Sequence, residues 1–398
     1  MDDDPREALT LGVSDGELER RWGLVRAGMK ARGIDVLIMQ ESNEHLGGYV
    51  KWFTDISARN GYPMSAIFPV DDLMTIVVNG GRPPTDKGPP AWQLRGIKKG
   101  LTAPYFPSVN YSSTYDAELV AGALKDRKKG KFGILGKGKI PIGFYEYLIK
   151  NLPEAVFVDA TDMVDEVKAV KSPEEIELIM KTTALQDEVM AYARTVIKPG
   201  RRGFEIVADV IHKAILLGSE EQLVLTGSGP FGQASPYRNR QYQNRVVRKN
   251  EPFNLLIEVN GPGGMYAELG RTFFTGPVPG ELFEAYQLCR EAQKVSLRLL
   301  RAGADTKSIW DANNEFLVRH GKAVETRLYA HGQGYDLVER PCIRDDEPMK
   351  LKANMNIVVH PTIASERIWV SVCDNYLIRD IGISPCLHKT PQEIFEVQ

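Results

Sequence analysis

Two glutamates in the C-terminal half of the chain lie in a segment whose pattern brings their side chains together. Glu258 and Glu268 belong to LLIEVNGPGGMYAELGRTF, in which apolar runs flank the turn-forming residues NGPGGM. A phosphate loop needs a strand that leads into a helix, so this glycine-rich turn indicates a β-hairpin instead. Side chains on one face of a hairpin are neighbours, and the two carboxylates can therefore contribute to one site.

Two histidines and a cysteine follow in three further segments. His331 lies in YAHGQGYDLVERP together with Glu339, His360 lies in NIVVHP, and Cys373 lies in VSVCDNYLI. We expect residues 358–378 to form two short strands around a connector, with His360 in the first strand and Cys373 in the second. Buried polar groups need partners, and Glu, His, His and Cys around one cavity would suit a single zinc or iron ion.

Each of these residues also has a purely structural interpretation. A carboxylate on a hairpin is commonly solvated, a cysteine in an apolar strand is commonly packed, and a backbone carbonyl can satisfy a buried imidazole. Tyr237 and Arg238, in the polar loop GQASPYRNRQYQ, can face solvent or an interface. The four cysteines are scattered without CxxC spacing, which indicates neither a disulfide framework nor a zinc knuckle. Any metal site must therefore be assembled from distant segments.

The composition is that of an ordinary globular protein with balanced charge. Hydrophobic residues make up 43% and charged residues 26%, and 50 basic against 52 acidic residues leave a net charge of −2. Such a balance offers no electrostatic attraction for nucleic acid or an anionic membrane. The chain has no apolar run of about 18 residues and starts with the acidic MDDDPREALTLG. We therefore expect a cytoplasmic protein whose partners are small molecules and copies of itself.

The elements that position these residues fall into two regimes. The first begins with the helix pattern ELERRWGLVRAGMKARG and continues with strand patterns separated by connectors such as NGGRPPTDKGPPAW. The strand candidates are IDVLIMQ, SAIFPV, LMTIVV, KFGILG and AVFVDA. This alternation predicts a small α/β domain over residues 1–163.

The second regime opens with a long amphipathic helical stretch over residues 162–197. Within it, Ser172 suits an N-cap, Pro173 suits the first helical position, and Glu175 completes a capping box. Two more helical stretches, GFEIVADVIHKAILLG and GELFEAYQLCREAQKVSLRLLRAG, are interleaved with strand runs such as PFNLLIEV. The chain is therefore predicted to be an α/β protein with a C-terminal domain over residues 164–398.

Several of these segments, in this order, resemble the creatinase/aminopeptidase P/prolidase family, the pita-bread enzymes of peptidase clan M24. The segments are ERRWGLVRAGMKARGIDVLIM, VKAVKSPEEIELIMK, SGP, AELGRTF, AHGQGYDLVERP, NIVVHP and VCDNYLI. The resemblance covers nearly the whole chain. It implies a creatinase-like N-terminal α/β domain followed by a catalytic pita-bread domain, which is a curved antiparallel sheet covered by helices.

The resemblance also implies a homodimer in which the N-terminal domain of one subunit caps the active site of the other. His45, Tyr49 and Trp52 in NEHLGGYVKWF suit such a cap, because aromatic faces bind cationic ligands. They can equally be core residues that follow the IDVLIMQ strand.

The metal ligands of the family's peptidases are not kept at the matching positions. In those enzymes two divalent cations lie between two Asp, one His and two Glu. By resemblance the second Asp corresponds to Glu268, the His to His331, and the two Glu to His360 and Cys373. The first Asp has no clean match, and Glu258, the nearest carboxylate, lies one residue closer to Glu268 than the family spacing.

This change of ligands alters the metal chemistry that we expect. An imidazole and a thiol supply neither the hard oxygen donors nor the negative charge that hold two dications about 3 to 4 Å apart. The main expectation is therefore that no metal is bound, as in creatinase. The alternative is one zinc or iron ion on Glu268, His331, His360 and Cys373, with Glu258 as a further candidate ligand.

Two further positions depart from the family's pattern. The second His of the peptidase motif corresponds to Val338, while the Glu that follows it is kept as Glu339. Pro236 and Tyr237 stand near the place where many members have a His after SGP. A catalytic base homologous to the His of creatinase is therefore absent, and the scaffold is predicted to carry altered chemistry.

These observations predict a creatinase-like hydrolase of small-molecule catabolism that cleaves a C–N or related bond in a polar substrate. His331 or His360 would be the general base, and Glu268 or Glu339 would orient that imidazole or bind a cationic part of the substrate. The predicted substrate-binding residues, the first two of which could hold an oxyanion or a carboxylate, are Tyr237, Arg238, Trp52 and Cys373. The alternatives are an Xaa-Pro aminopeptidase or prolidase, a lyase of this fold that acts by β-elimination, and a non-catalytic module that binds a protein or peptide.

Overall fold

The computed structural model describes residues 11–80 and 91–398. Most of the acidic start and the middle of the connector NGGRPPTDKGPPAW lie outside the described residues. The chain divides into two compact units, Gly12–Lys168 and Ala169–Gln398, each with its own core. The domain assignments 1–163 and 164–398 stay predictions.

The N-terminal unit is built on a mixed sheet. Its helices are α1 (Asp15–Arg32), α2 (Gly48–Thr54), α3 (Tyr115–Ala123), α4 (Ile142–Asn151) and α5 (Thr161–Lys168). Its strands are β1 (Val36–Glu41), β2 (Met64–Pro69), β3 (Met74–Asn79), β4 (Ile97–Ala103), β5 (Lys131–Ile134) and β6 (Val156–Asp159). The strand order is β4-β3-β2-β1-β5-β6, with antiparallel pairing between β1, β2 and β3 and parallel pairing elsewhere.

The ends of α1 show why the first helix forms where the sequence predicts it. The Ser14 side chain accepts a hydrogen bond from the Glu17 backbone N–H, and Gly33 closes the helix in the left-handed conformation at φ 61°. The five strand patterns of this region correspond to β1, β2, β3, β5 and β6. Strand β4 was not predicted, because its sequence IKKGLTA is largely polar and exposed and lacks an apolar alternation.

The C-terminal unit combines four described helices with sheets that are antiparallel except for the parallel pair of β16 and β9. Its helices are α6 (Pro173–Val196), α7 (Gly203–Leu216), α8 (Gly280–Leu299) and α9 (Thr306–Arg319). Its strands are β7 (Gln222–Ser228), β8 (Pro252–Asn260), β9 (Tyr266–Phe274), β10 (Ala330–Gly332), β11 (Glu339–Cys342), β12 (Asn356–Val359), β13 (Thr362–Ala364), β14 (Trp369–Ser371), β15 (Asp374–Leu377) and β16 (Phe395–Glu396).

These strands form a curved sheet that the helices cover. One four-stranded sheet has the order β16-β9-β8-β7 and the other has the order β11-β10-β12-β15. A bridge between Gly270 and Cys373 joins them, because the backbone N–H of each residue donates to the carbonyl of the other. Helices α6 and α7 pack on β7, β8 and β9 through an apolar core that includes Val189, Val207 and Leu255. The pita-bread architecture implied by the sequence is confirmed.

Two segments differ from the sequence predictions. The helical stretch 162–197 breaks after Lys168 and restarts at Pro173, because Pro173 has no N–H to continue a helix and Ser172 forms the predicted capping box with Glu175. The segment 358–378 contains the end of β12 together with β13, β14 and β15 rather than two strands, and His360 and Cys373 lie just after β12 and just before β15 rather than within strands. The sequence does not predict the hairpin of β13 and β14, because strands of three residues are too short to show an alternation of apolar and polar residues.

Within residues 11–80 and 91–398, no helix combines the length and the apolar character that crossing a bilayer requires.

Candidate functional site

The two glutamates of the hairpin lie directly opposite each other. Strands β8 and β9 pair antiparallel in a register that places Glu258 across from Glu268. Both side chains are buried, at 7% and 4% relative exposure. The turn NGPGGM joins the strands, as predicted from the sequence, so the hairpin alone brings two carboxyl groups to one place.

The second sheet brings two imidazoles to the same place. His331 on β10 pairs with Val358 on β12, and His360 follows Val358 by two residues. Because strand side chains alternate, this spacing puts His331 and His360 on one face, with ring centroids 5.2 Å apart. The His331 Nε2 lies 3.9 Å from a carboxylate oxygen of Glu268. Donor atoms of Glu268, His331 and His360 all lie within 4.8 Å of one another.

The local contacts prepare both imidazoles to act as neutral ligands. The His331 Nδ1 lies 2.9 Å from the carbonyl oxygen of Gly332, so a proton on Nδ1 leaves the Nε2 lone pair available. The His360 Nε2 is buried and has no hydrogen-bond partner among the described residues. Burial lowers the pKa of His331 to about 4, and burial together with the neighbouring His331 lowers the pKa of His360 well below its usual range. Both rings are therefore uncharged near neutral pH.

Burial has the opposite effect on the two carboxyl groups. It raises the pKa of Glu268 to about 7, while the Cys373 thiol and Arg327 act against this rise. Burial and the charge of Glu268 raise the pKa of Glu258 well above its usual range, and a hydrogen bond from Gln333 opposes them. The pair therefore prefers to share at least one proton when no cation is near.

A network of buried amides contacts the Glu258 carboxyl group and the Glu268 backbone. The Gln333 Nε2 donates to Glu258 at 3.1 Å, and the Asn375 Nδ2 donates to the Gln333 Oε1 at 2.9 Å. The Asn375 Oδ1 in turn accepts from the Glu268 backbone N–H at 2.8 Å. Because Asn375 fixes the orientation of the Gln333 amide, its NH₂ group must face Glu258.

Cys373 does not have the contacts expected of a metal ligand, and Glu339 does not have those expected of a catalytic group. The Cys373 Sγ donates to the Glu268 backbone carbonyl at 3.4 Å, and burial together with the Glu268 charge raises the pKa of the thiol well above its usual range. Cys373 is therefore a neutral thiol beside the site. Glu339 accepts from the Lys171 Nζ at 2.6 Å and from the Tyr335 backbone N–H at 2.8 Å, and it is not among the residues that line the cavity.

A cavity of about 240 Å³ opens onto these groups. Its polar wall consists of Tyr237, Glu258, Glu268, Arg327, His331, His360 and Ser371. Its apolar wall consists of Leu225, Leu256, Leu337 and Val338. The Tyr237 hydroxyl is buried without a partner in the described residues, and its ring packs edge-on against Trp369 at 4.5 Å. This hydroxyl is available to a ligand in the cavity.

Three predicted substrate-binding residues, Arg238, Trp52 and Cys373, are not among the residues that line this cavity. Arg238 pairs through its backbone with Thr226 and lies outside the lining. Trp52 is 1% exposed in the core of the N-terminal unit, and Arg21 donates to its carbonyl oxygen at 3.0 Å. Tyr49 is also buried there and donates to Asp165 at 2.7 Å. Within their own unit, Trp52 and Tyr49 are core residues.

The donor set fits one transition-metal ion and does not fit two. The unpartnered His360 Nε2, the oriented His331 Nε2 and the Glu268 carboxylate form a mixed nitrogen and oxygen set of the kind that zinc and iron(II) accept. A second dication would need further anionic oxygens to offset repulsion at a separation of about 3 to 4 Å. Glu258 is the only other carboxylate among the described residues of the cavity wall. One further carboxylate supplies too little negative charge for a pair of dications.

Comparison with known proteins places this fold and site in a family. The model of the metallopeptidase family M24 matches residues 177–380, more than half of the chain. The chain belongs to this family. It spans less than two thirds, 63%, of the length of the curated relatives named PepE.

Individual relatives differ in their names and in how much of the chain they match. The probable dipeptidase PepE of Mycobacterium tuberculosis is 25% identical, and the match covers 60% of this chain and 63% of that protein. The ectoine hydrolase of Halomonas elongata is 22% identical over 97% of this chain and 99% of its own length. The crystal structure of an X-Pro aminopeptidase from Thermotoga maritima has a TM-score of 0.76 at 17% identity, covering 95% of this chain and 99% of that one.

These comparisons give no support to one expectation and leave another unconfirmed. The expectation that no metal is bound finds no support, because the matching family is one of metallopeptidases. The creatinase-like activity is not confirmed, and the peptidase alternative agrees better with the names of the relatives.

Sequence reasoning missed the cavity residues that belong to no motif. Arg327 precedes His331 by four residues in ETRLYAHG and carries no local signal of a binding role. Leu225 and Leu256 have the period of ordinary core residues in β7 and β8. Gln333 does lie in the quoted segment AHGQG, where a polar side chain two residues from His331 on a strand end indicates the same face.

Proposed function

We propose that this chain hydrolyses an amide-type C–N bond in a substrate of about dipeptide size, and that it uses one transition-metal ion held by Glu268, His331 and His360. The observation that carries this proposal is the group of three donor atoms within 4.8 Å, which includes the buried and unpartnered His360 Nε2. When bound, such an ion would supply Lewis acidity at the scissile carbonyl.

The size of the cavity supports a small substrate. Its volume of about 240 Å³ lies below the range of about 300 to 1,000 Å³ of sites for drug-sized ligands. The apolar wall formed by Leu225, Leu256, Leu337 and Val338 would accept an aliphatic side chain or ring. The names of PepE and of the X-Pro aminopeptidase support a peptide substrate.

The residues around the proposed ion have distinct tasks in this reaction. Glu258, whose pKa is raised by burial and by Glu268, would accept a proton from the attacking water and deliver it to the leaving nitrogen. Gln333 would hold Glu258 in position for both transfers. The Tyr237 hydroxyl, which is buried and unpartnered, would donate to the oxyanion that forms at the carbonyl.

The metal-free mechanism expected from the creatinase resemblance is weaker on physical grounds. It makes His331 or His360 the general base, and burial lowers the pKa of His331 to about 4 and that of His360 also. An imidazole with so low a pKa is a poor proton acceptor near neutral pH. The same lowered pKa keeps the ring neutral, which is the form that binds a metal.

A second candidate substrate class comes from a relative that matches nearly the whole chain. The ectoine hydrolase of Halomonas elongata is aligned over 97% of this chain, which supports a small non-peptide substrate with a hydrolysable C–N bond. The cavity volume is compatible with both classes. Cytoplasmic location, a small-molecule partner and a homodimer also stay predictions of this proposal.

Elemental analysis and substrate turnover together test the proposal. Protein purified without added metal is expected to contain close to one equivalent of zinc or iron and to lose activity in a chelator. Activity is measured on Xaa-Pro and other dipeptides and on ectoine. Incorporation of water in the product mass separates hydrolysis from β-elimination. Full activity with less than about a tenth of an equivalent of metal would contradict the proposal, and turnover of none of these compounds would favour the binding-module alternative.

A further inference from the structure

Arg327 lines the cavity and has no task in the reaction described above. We propose that Arg327 binds a carboxylate group of the substrate and thereby selects substrates with a free acid at that end. The identity of the cleaved substrate rests on the proposed function, whereas the binding of a carboxylate does not.

The guanidinium of Arg327 is held in one orientation. Its Nη2 donates to Glu325 at 2.8 Å and to the Thr362 Oγ1 at 2.8 Å, and its Nε donates to Glu325 at 3.2 Å. Glu325 is itself anchored, because its side chain is 8% exposed and accepts from the backbone N–H of Thr326 at 2.9 Å. A side chain that is already fixed loses little conformational entropy when a ligand binds.

One edge of this guanidinium stays available to a ligand. The Arg327 side chain is 47% exposed, and its Nη1 has no partner within the residues that the structure describes. Among the described residues that line the cavity, Arg327 is also the only arginine or lysine. It is therefore the group on this wall that an anion would contact.

The charges across the cavity narrow the class of ligand. Glu258 and Glu268 line the same cavity as Arg327, and when no cation is bound their negative charge disfavours a second anionic group beside them. A single carboxylate at Arg327 and a neutral or cationic group near the two glutamates match this arrangement. An amino acid or dipeptide with a free C-terminus has this distribution of charge.

Paired substrates that differ only at the C-terminus test the inference. Wild-type protein is expected to hydrolyse L-alanyl-L-proline with a kcat/KM about 10- to 100-fold above that of the corresponding amide, the range that a charge-assisted hydrogen bond supplies. In Arg327→Gln this preference should fall to about one, mainly through KM of the acid, while the amide changes little. Arg327→Lys keeps the positive charge but loses the planar guanidinium that can bind a carboxylate through two N–H groups. It should give an intermediate preference for the acid over the amide.

The matched control is Arg367→Gln. Arg367 pairs with Glu281 at 3.2 Å in the same unit, is 62% exposed and does not line the cavity. Its removal should leave the preference for the acid unchanged. An equal loss for acid and amide in Arg327→Gln, or a wild-type protein that does not distinguish them, would overturn the assignment.

Calorimetric titration separates this inference from the proposed reaction. Glycine, alanine, leucine, proline and phenylalanine are compared with their amides as ligands that do not turn over. Tighter binding of at least one acid to wild type, lost in Arg327→Gln, supports the carboxylate subsite even when no dipeptide is hydrolysed, in which case only the proposed function fails. If none of the acids binds more tightly than its amide, the subsite is refuted whatever the hydrolytic activity.

Discussion

Two buried polar clusters of the C-terminal unit contain the same kinds of side chain and behave differently. One is the site cluster, Glu268, His331 and His360, and the other is the Asp374 cluster, Asp374, Cys386 and His388. In each, the potential ligand atoms lie within 4.8 Å of one another. The two clusters are also adjacent in sequence, because Cys373 beside the site cluster directly precedes Asp374 and successive residues of a strand face opposite sides.

The difference between the clusters is the presence of a fixed cation. Both Asp374 oxygens are paired with Arg271, at 2.8 and 3.2 Å, and Gln392 donates to Asp374 at 2.7 Å. Although burial acts to raise it, Arg271 lowers the pKa of Asp374 to about 2. In the described residues no arginine or lysine forms an ion pair with Glu268, and burial raises its pKa to about 7.

This comparison shows how a site differs from a structural network of the same composition. The Asp374 cluster already contains its counter-ion, so an added dication would meet the charge of Arg271. Each cluster has one buried ring nitrogen without a hydrogen-bond partner in the described residues, on His360 and on His388. The site cluster differs because it lies on a cavity wall and its carboxylate has no paired arginine within the part of the chain that the structure describes, so a cation there would relieve the cost of burial. Ligand-type residues at short distances are therefore not sufficient evidence for a metal site.

The largest expected effect is on stability, in the Asp374 cluster. Asp374→Asn leaves the fully buried Arg271 guanidinium without a charged partner and is expected to reduce the free energy of unfolding by about 3 to 5 kcal/mol. Asp311→Asn, in the exposed pair with Lys307, is the matched control and should cost no more than about 0.5 kcal/mol. Denaturant titration measures both, and equal effects would show that the Asp374 pair is not structural.

The ion pair of Asp374 with Arg271 also makes the stability of the fold depend on pH. Asp374 has a folded pKa of about 2 against an ordinary value of 3.8, so its contribution is present above pH 3.8 and is lost as the pH falls toward 2. A shift of this size corresponds to about 2 kcal/mol. In Asp374→Asn this acid-dependent component should be missing.

The second effect is on activity, in the site cluster. His331→Ala removes one of the three donors and is expected to lower both metal content and kcat/KM by more than about a hundredfold. Loss of a residue that only hydrogen-bonds to a metal ligand already lowers metal affinity or activity by about 10- to 100-fold. His320→Ala, at the exposed end of α9, is the control and should leave both unchanged. Elemental analysis and steady-state kinetics test this difference. Unaltered metal content in His331→Ala would remove that residue from the site.

Some of this contrast could be predicted from the sequence. The hairpin that pairs Glu258 with Glu268 follows from NGPGGM between two apolar runs, and the capping box at Ser172 follows from SPEE. The alternation of apolar residues also places His360 on a strand-end position facing inward. Such local signals are sufficient to name the candidate ligands.

Other parts depend on contacts between distant segments. Arg327 is oriented by Thr362, 35 residues later, and Asp374 is paired by Arg271, 103 residues earlier. The sequence VSVCDNYLI does not indicate whether Cys373 or Asp374 faces the site cluster. The state of charge of each cluster, which decides between a site and a structural network, is therefore visible only in the folded chain.

A third effect sharpens the comparison through pH. Because burial raises the pKa of Glu268 to about 7, metal binding below pH 7 must expel one proton from this carboxyl group. The imidazole of His331, with a pKa of about 4, contributes no further proton between pH 5 and 7. Zinc affinity measured by calorimetry should thus fall about tenfold per pH unit below 7. In Glu268→Gln the dependence should vanish, and a slope of two protons would mean that Glu258 or a histidine titrates as well.

The smallest expected effect concerns Cys373, the residue at the boundary between the clusters. Its thiol donates to the Glu268 carbonyl, and burial with the Glu268 charge raises its pKa well above the usual range. A protonated thiol is a poor metal ligand, so Cys373→Ala should lower zinc affinity by less than about threefold, mostly through lost packing. Cys289→Ala, another fully buried thiol outside the cavity, controls for packing. A loss of affinity in Cys373→Ala as large as that in His331→Ala would mean that metal binding deprotonates the thiol and that the site has four ligands rather than three.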